Sequence, residues 1–396
     1  MATSIRKTAT RATLTKTTKP RGDNFTLGIE EEYLLVDRTT RELAADPPEA
    51  LFKRCAKVLP QRVTHEFLRA QIEIGTPVCH SIDEARQHLA NLRQTVAEIA
   101  DNYGLAIIAA STHPSALWFN QQHTRMARYD LLAEDLQAVG RRLLTCGMHV
   151  HVGIADKDQR IDLMNQCSYF LPQFLALSTS SPFWGGDNTG LKSYRLSVFN
   201  QLPRTGLPGR FSSWSEYQRH VDVLVNAGLI KEASMLWWDL RPSCRFPTLE
   251  MRITDVCTRI DDALCIAALY LATLKMLSNL RDNNQRWRTY APMLIQENRW
   301  RAQRYGIDAG MIDFQLETNV DFSDLLQQWL AMIEPAANEL GCRQETLHAL
   351  TILSQGTSAH RQIQIYDQAL SQGDNHDQAI MNVIDWLIAE TNLQPG

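Results

Sequence analysis

Residues 27–36 read LGIEEEYLLV, three consecutive glutamates set in a run of strand-forming apolar residues. Ionised carboxylates are costly to withdraw from water unless a positive group meets them. Alternate side chains of an extended strand share a face, which places Glu30 and Glu32 together and Ile29, Glu31 and Tyr33 opposite. The same pattern returns twice. In GMHVHVG (147–153), His149 and His151 share a face while Met148, Val150 and Val152 take the other. In LEMRITD (249–255), Glu250, Arg252 and Thr254 share one face and Leu249, Met251 and Ile253 the other. Ordinary solvent-facing strands favour Thr, Lys and Ser. Polar faces assembled from Glu, His and Arg point to a common floor that binds divalent cations and anions.

A fourth stretch, HEFLRAQIEIGT (65–76), carries Glu66 and Glu73. Their odd spacing sets them on opposite faces of a continuous strand, so a bend or a short helical turn is needed to bring both to one site. The donors are mostly carboxylate oxygens with one or two imidazoles and no thiolate. That set suits Mg²⁺ or Mn²⁺ better than zinc. Carboxylates and arginines together fit phosphate chemistry, in which cations neutralise charge on a transferring phosphoryl group. Arg195, Arg241, Arg245 and Arg252 are the arginines for it; Arg241 and Arg252 flank the Glu250 strand and suit bidentate binding of a carboxylate or phosphate. Beside Arg241, at least one of Trp237 and Trp238 is expected to pack in the core. GGDNTGLKS (185–193) misses a phosphate-binding loop because Leu191 separates Gly190 from Lys192. With no G-x-G-x-x-G, H-E-x-x-H or G-x-S-x-G in the sequence, a nucleotide would be held by metals and arginines on a sheet.

The elements that must carry these residues follow from periodicity and punctuation. Strands are predicted over 27–36, 70–76, 105–111, 146–154 and 248–256, and helices over 47–60, 81–104, 128–144, 214–228 and 159–180, the last kinked near Pro172. Ser81 is read as N-cap of the second helix, with Glu84 completing a capping box and Gly104 as its stop. Residues 183–212, rich in Gly, Pro and Ser, read as long functional loops. Beyond Asp261 the chain is mostly helical, with amphipathic pieces at 261–280, 323–340 and 377–390. Strands and helices mix without βαβ alternation, which predicts an α+β fold with an antiparallel sheet backed by helices.

The 396 residues are 44% hydrophobic and 21% charged with a formal net charge of −4, which gives no reason to expect nucleic acid or a membrane surface. Eight scattered cysteines without a C-x-x-C pair read as reduced thiols of a cytoplasmic protein. The apolar run Ala263–Leu274 is too short to span a bilayer. Residues 1–22 hold six Lys/Arg and no acid, and read as a flexible basic arm rather than a secretory signal. Residues 23–396 are expected to form one catalytic domain.

In this order, GIEEEYLLVD, QIEIGT, STHP, GMHVHVG, WWDLRPS and LEMRITD resemble the bacterial carboxylate–amine ligase family, whose members are labelled glutamate–cysteine ligase type 2. The resemblance covers roughly residues 23–385. It implies a curved antiparallel sheet backed by helices, similar to the catalytic domain of glutamine synthetase and guanidino kinases. It also implies ATP-dependent joining of a carboxylate to an amine, with weak glutamate–cysteine ligase activity of the kind that serves glutathione synthesis.

By that likeness Glu30 and Glu32 match the Mg²⁺-binding pair of a G-I-E-x-E motif. Glu66 and Glu73 match a second pair, His149 the histidine after the glycine motif, and Glu250 the late strand glutamate. Arg252 and Glu250 are the catalytic candidates. His113, Arg195, Arg241 and Arg252 are the candidates for binding substrate or ATP, although Ser111 stands where relatives show glycine in G-T-H-P. The implied route is attack of the carboxylate on the γ-phosphorus to give a γ-glutamyl phosphate, then attack by an amine such as cysteine, with 183–212 closing against water. The partners would be small molecules, and the many helical faces suit a homodimer. Two other readings use the same residues: a two-metal hydrolase without ATP, and a weakly active regulatory homologue.

Overall fold

The computed structural model describes residues 25–393, so the basic arm expected at residues 1–22 lies outside the described residues. Its centre is β1 (Leu27–Asp37), long enough to serve three neighbours. The first half of β1 pairs β3 (Gln71–Gly75) on one side and β5 (Met148–Gly153) on the other; its second half pairs β4 (Leu105–Ile108). β2 (Val63–His65) extends the sheet beyond β3, and strands Thr248–Met251 and Leu240–Pro242 extend it beyond β5. Every pairing in this seven-stranded sheet is antiparallel.

The apolar face is covered by helices. After α1 (Glu49–Val58) comes α2 (Ile82–Asp101), which lays Ala85, Leu89, Leu92 and Val96 against the sheet. The Glu84 N–H donates to Ser81 Oγ at 3.1 Å, as expected for an N-cap. The Glu84 carboxylate accepts from His80 N at 2.7 Å, one residue earlier than a standard capping box would place it. Gly104 follows at φ +71°, a left-handed position that a glycine adopts without strain.

Next come α3 (Ala127–Arg141), which contains a non-helical Gln137 at φ +47°, then α4 (Lys157–Cys167) and α5 (Leu171–Ser178). The kink expected near Pro172 is instead a 3₁₀ turn at Ser168–Phe170. Pro172 itself occupies the first turn of α5, where its missing N–H has no helical partner to lose. The 183–212 stretch is mostly loop, with a small hairpin and α6 (Arg195–Phe199). α7 (Trp214–Asn226) precedes the strands Leu240–Pro242 and Thr248–Met251.

α8 (Ile260–Asp282) corrects a second expectation. It is not amphipathic: Ala263–Ser278 are all buried, because the helix lies between the sheet and the outer helices. Tyr270 OH donates to the carbonyl of Leu249 at 3.2 Å, tying the helix to the sheet. Its full length makes it long and apolar enough to cross a membrane, but 89% of its apolar window is buried inside the protein. α9 (Pro292–Tyr305), α10 (Phe322–Glu339), α11 (Arg343–Gln355), α12 (Ser358–Ser371) and α13 (His376–Thr391) complete the helical third. α10 and α11 pack on α8, and the Trp329 indole N–H of α10 donates to Thr273 Oγ1 at 3.0 Å.

Candidate functional site

Register assembles the polar face. Glu30 stands opposite His149 on β5 and Gly75 on β3; Glu32 stands opposite Glu73 on β3. Glu250 stands opposite His151 on one side and Arg241 on the other. Directly opposed residues of antiparallel strands share a face, so these side chains converge. Ligand atoms of Glu30, His149 and Glu250 all lie within 4.8 Å of one another. His149 Nδ1 is 3.4 Å from Glu30 Oε2, His151 Nε2 is 3.4 Å from Glu30 Oε1, and His149 Nε2 is 3.9 Å from Glu32 Oε1.

Glu66 and Glu73 meet as well. β2 and β3 form an antiparallel pair with Thr64 opposite Glu73, so Glu66, two residues past Thr64, falls on the Glu73 side. The odd spacing is resolved by reversal of the chain between them, and the two carboxyls hydrogen-bond each other.

The charge on this face is uneven. Arg241 forks Glu250, Nε to Oε2 at 2.9 Å and Nη2 to Oε1 at 3.1 Å, while its Nη1 donates to the carbonyls of Ser234 and Leu236. Arg252 also donates to Glu250 and lies 3.4 Å from His149 Nδ1. Burial alone would raise the Glu250 carboxyl, but the charges of Arg252 and Arg241 hold it well below the usual carboxylate range. Burial and then the Arg252 charge push His149 down to about 4. For Glu30 burial is outweighed by His149 and His151, which hold it low.

At the other end the balance reverses. Burial, then the Glu73 charge, raises Glu32 to about 7, against the opposing pull of Arg195, the Gly147 N–H at 2.8 Å and Arg252. Burial and then Glu66 push Glu73 well up. Carboxylates gathered faster than the chain supplies positive charge are what a hard divalent cation would answer, so the donor set fits Mg²⁺ or Mn²⁺. Glu250 differs: both its oxygens are already met by guanidinium groups.

Arg195, from the 183–212 stretch, is buried against the same place. Its Nη1 and Nη2 donate to the carbonyls of Ile253 and Arg252 at 3.2 Å. A Cβ at position 147 would collide with its guanidinium, which explains the glycine before the histidine strand. Arg245, by contrast, is exposed at the turn joining strands Leu240–Pro242 and Thr248–Met251.

His113 stands apart from the others. Its Nε2 is 3.0 Å from the carbonyl of Arg41, and its Nδ1 accepts from Ser115 N and Ala116 N at 3.2 and 3.1 Å. Burial lowers it to about 4, and its ring is spent on main-chain groups that fix the STHP turn. The structure does not bring it to the strand cluster.

Four residues escaped the sequence reading. His151 was legible from alternation as a face residue but was not counted among the ligand candidates. Arg93 lies in the buried stripe of α2, where a charged residue among leucines is itself a signal. It meets the middle glutamate, Glu31, from behind the sheet. Asp239 and Arg299, joined at 2.6 and 3.0 Å deep inside, are 60 residues apart and carried no local mark.

A family model described as glutamate–cysteine ligase family 2 matches residues 26–382. A Rhodospirillum rubrum protein named "Putative glutamate--cysteine ligase 2" is 62% identical over 371 residues, 93% of this chain and 95% of the relative. A Jannaschia protein of the same name is 51% identical over 371 residues, 94% of this chain and 98% of the relative. Among solved structures, the glutamate–cysteine ligase of Francisella tularensis in complex with AMP gives a TM-score of 0.66 at 14% identity, covering 93% of this chain and 89% of that one. The bifunctional glutathione synthetase of Pasteurella multocida gives 0.66 at 15% identity, covering 92% and 52%. At those identities the structural likeness is one of fold.

Proposed function

The chain belongs to glutamate–cysteine ligase family 2, and from that membership we propose that it is an ATP-dependent carboxylate–amine ligase acting on glutamate or a similar carboxylate and an amine such as cysteine. The observation that carries this reading is the single sheet face on which Glu30, His149 and Glu250 come within 4.8 Å, with Glu32 and the Glu66–Glu73 pair beside them. Residues 23–396 would act as one catalytic domain in the cytoplasm.

Glu30, Glu32, Glu66, Glu73 and His149 would hold Mg²⁺, with Glu250 joining if Arg252 turns to the nucleotide. The metal's contribution, when bound, is to offset charge on the transferring phosphoryl group. Arg252 reaches over Glu250 to the middle of the face, where its guanidinium can donate to a phosphoryl oxygen. Arg241 is committed to Glu250 and the main chain, so its part is to orient that carboxylate. Arg195 sets the main chain of Arg252 and adds positive potential beside Glu32. In this scheme the substrate carboxylate would attack the γ-phosphorus in line and expel ADP, the resulting γ-glutamyl phosphate would be kept from water by the 183–212 stretch, and the amine would attack the acyl carbon, releasing phosphate and a proton.

The test is incubation with ATP, Mg²⁺, glutamate and a panel of amines including cysteine, read by mass spectrometry. Stoichiometric ADP, phosphate and amide product supports the reading. ADP release indifferent to the amine, or hydrolysis that needs metal but no ATP, overturns it.

A further inference from the structure

The 183–212 stretch brings Arg195 to the site, and its neck is tied by a carboxylate that the proposed reaction leaves unused. Asp255 lies just past strand Thr248–Met251 and is fully buried. Its Oδ2 accepts from Ser180 N at 2.9 Å and Ser181 Oγ at 2.8 Å, and its Oδ1 accepts from Ser193 Oγ at 2.8 Å. All three donors are neutral groups on residues as buried as Asp255 itself. A carboxylate withdrawn from water in such company is costly, and an apolar side chain would fill the same space at less cost.

The main chain on either side of Asp255 is held by side chains. Thr254 Oγ1 donates to the carbonyl of Met148 at 2.7 Å, and Val256 N donates to Ser111 Oγ at 2.8 Å. Ser111 opens the STHP turn, so the turn that leaves His113 away from the cluster braces Asp255 instead. Asp255 also forms a β-bridge with Gly147, whose N–H donates to Glu32.

An ionised carboxylate only accepts, which gives the hydrogen bonds around it a direction. The Ser181 hydroxyl donates its proton to Asp255, so its oxygen is free to accept, and it accepts from Arg195 N at 3.1 Å. Tyr194 N donates to the carbonyl of Ser181 at 2.9 Å, and Ser181 bridges Ser193, which closes the 182–192 loop directly ahead of α6. The guanidinium of Arg195 reaches back to the same segment, to the carbonyls of Ile253 and Arg252. Both ends of this arginine are therefore tied to residues 252–255, one of them through Ser181.

We propose that Asp255 is a positioning residue: by way of Ser181 it fixes the main chain of Arg195, and with it the guanidinium that holds the Arg252 carbonyl on the polar face. The inference rests on the ligase reading given above and adds to it the residue that sets this arginine.

The test is a double-variant cycle that combines Asp255→Ala or Ser181→Ala with Arg195→Met. It is read as kcat for amide formation and as MgATP affinity by titration calorimetry. Asp255→Ala should lower kcat about tenfold, the scale of one hydrogen bond to a charged group. Asp255→Asn keeps an oxygen that accepts from Ser180 N and Ser181 Oγ, so it should recover most of that loss. Ser181→Ala removes only the link to Arg195 N and should lower kcat too, which serves the case in which Asp255→Ala does not fold. The deciding result is that neither change lowers kcat further in the Arg195→Met background, because residues that act through one another are not additive. Losses that multiply in that background would mark Asp255 as scaffold alone and overturn the assignment. A parent-like kcat in Ser181→Ala overturns it as well. If the parent joins glutamate to no amine, the ligase reading alone fails, and the cycle on MgATP affinity decides this inference by the same rule. A parent that binds no MgATP removes both.

Discussion

Arg93 holds Glu31 from behind the sheet, Nε to Oε2 at 2.8 Å and Nη2 to Oε1 at 2.7 Å, while Glu30 and Glu32 look the other way. The same guanidinium donates to the carbonyls of Cys257 and Thr258, both at 2.7 Å. The three-glutamate run therefore has two answers: an arginine for the middle residue and an open, histidine-rich face for its neighbours. Removing one member of a buried pair strands the other charge, so Arg93→Met should lower the unfolding free energy by about 3–5 kcal/mol in urea denaturation. Adding Glu31→Gln should recover a large part of that loss, because the two sites are coupled.

Glu32→Gln removes one carboxylate from a place where burial and Glu73 already favour its protonated form. The parent's ionised Glu32 opposes folding above its raised value, so the metal-free variant should melt at a higher temperature than the parent at pH 8. Its gain on adding Mg²⁺ should shrink. Differential scanning fluorimetry with and without MgCl₂ reads both effects, and a full Mg²⁺ response in the variant would remove Glu32 from the ligand set.

Glu30→Gln and Glu250→Gln should each abolish amide formation through different routes. The first takes an anion from between His149 and His151; the second releases Arg241 and Arg252 from their shared carboxylate. Circular dichroism should show both variants folded. Residual turnover above about one-hundredth of the parent's, an effect of roughly 2.7 kcal/mol, would argue against a role in the transition state.

His113 gives the clearest pH signature. Burial keeps it neutral, with its folded value lowered to about 4. A histidine depressed in this way adds stability that is present above the unfolded value near 6.5 and is lost as pH falls towards 4. Between those limits the parent should lose about 3 kcal/mol more than His113→Asn, which has no proton to take up. Urea curves at a series of pH values measure the difference, and parallel profiles would show that His113 is not held neutral.

Asp239 and Arg299 offer a test of positioning. The Asp239 carbonyl accepts from Arg252 N at 2.8 Å and Ile253 N at 3.2 Å, and its N–H donates to Gly206, so this buried pair fixes the main chain from which Arg252 extends. Asp239→Leu with Arg299→Met should keep stability within about 1–2 kcal/mol of the parent, since apolar replacement of a buried pair is well tolerated. Its kcat should still fall about tenfold with KM for ATP little changed, a loss of roughly 1.4 kcal/mol in the transition state alone. A kcat equal to the parent's would confine the pair to a scaffold role.

Much of this was written in local pattern. Alternation alone placed Glu30 with Glu32, His149 with His151, and Glu250 on the common face, because a half-buried strand must sort its side chains by parity. What parity cannot supply is pairing: that Glu30 faces His149, or that Glu66 comes round to Glu73, depends on register between segments far apart in sequence. Arg241 reads as a bidentate partner for a carboxylate or a phosphate, and the carboxylate it meets in the structure is Glu250, since only the fold shows where a guanidinium finds its carboxylate. His113 is the opposite case. A family motif marks it, but main-chain acceptors and donors that no motif displays had already taken both ring nitrogens. The amphipathic reading of 261–280 failed because a helix surrounded on every side has no wet face to betray its orientation.

That enclosed helix, α8, has a bearing on how the protein is made. The last strand of the large sheet ends at Met251, yet the sheet's rear surface is sealed by residues up to Ser278. On a ribosome the strands therefore emerge complete but only partly covered, by α2 and α4, and they can settle only after this later segment has been synthesised and packed against them. A nascent chain halted before residue 260 would present a half-bare apolar sheet to the chaperones, and no shortened version lacking the helical third should be recoverable as a working half.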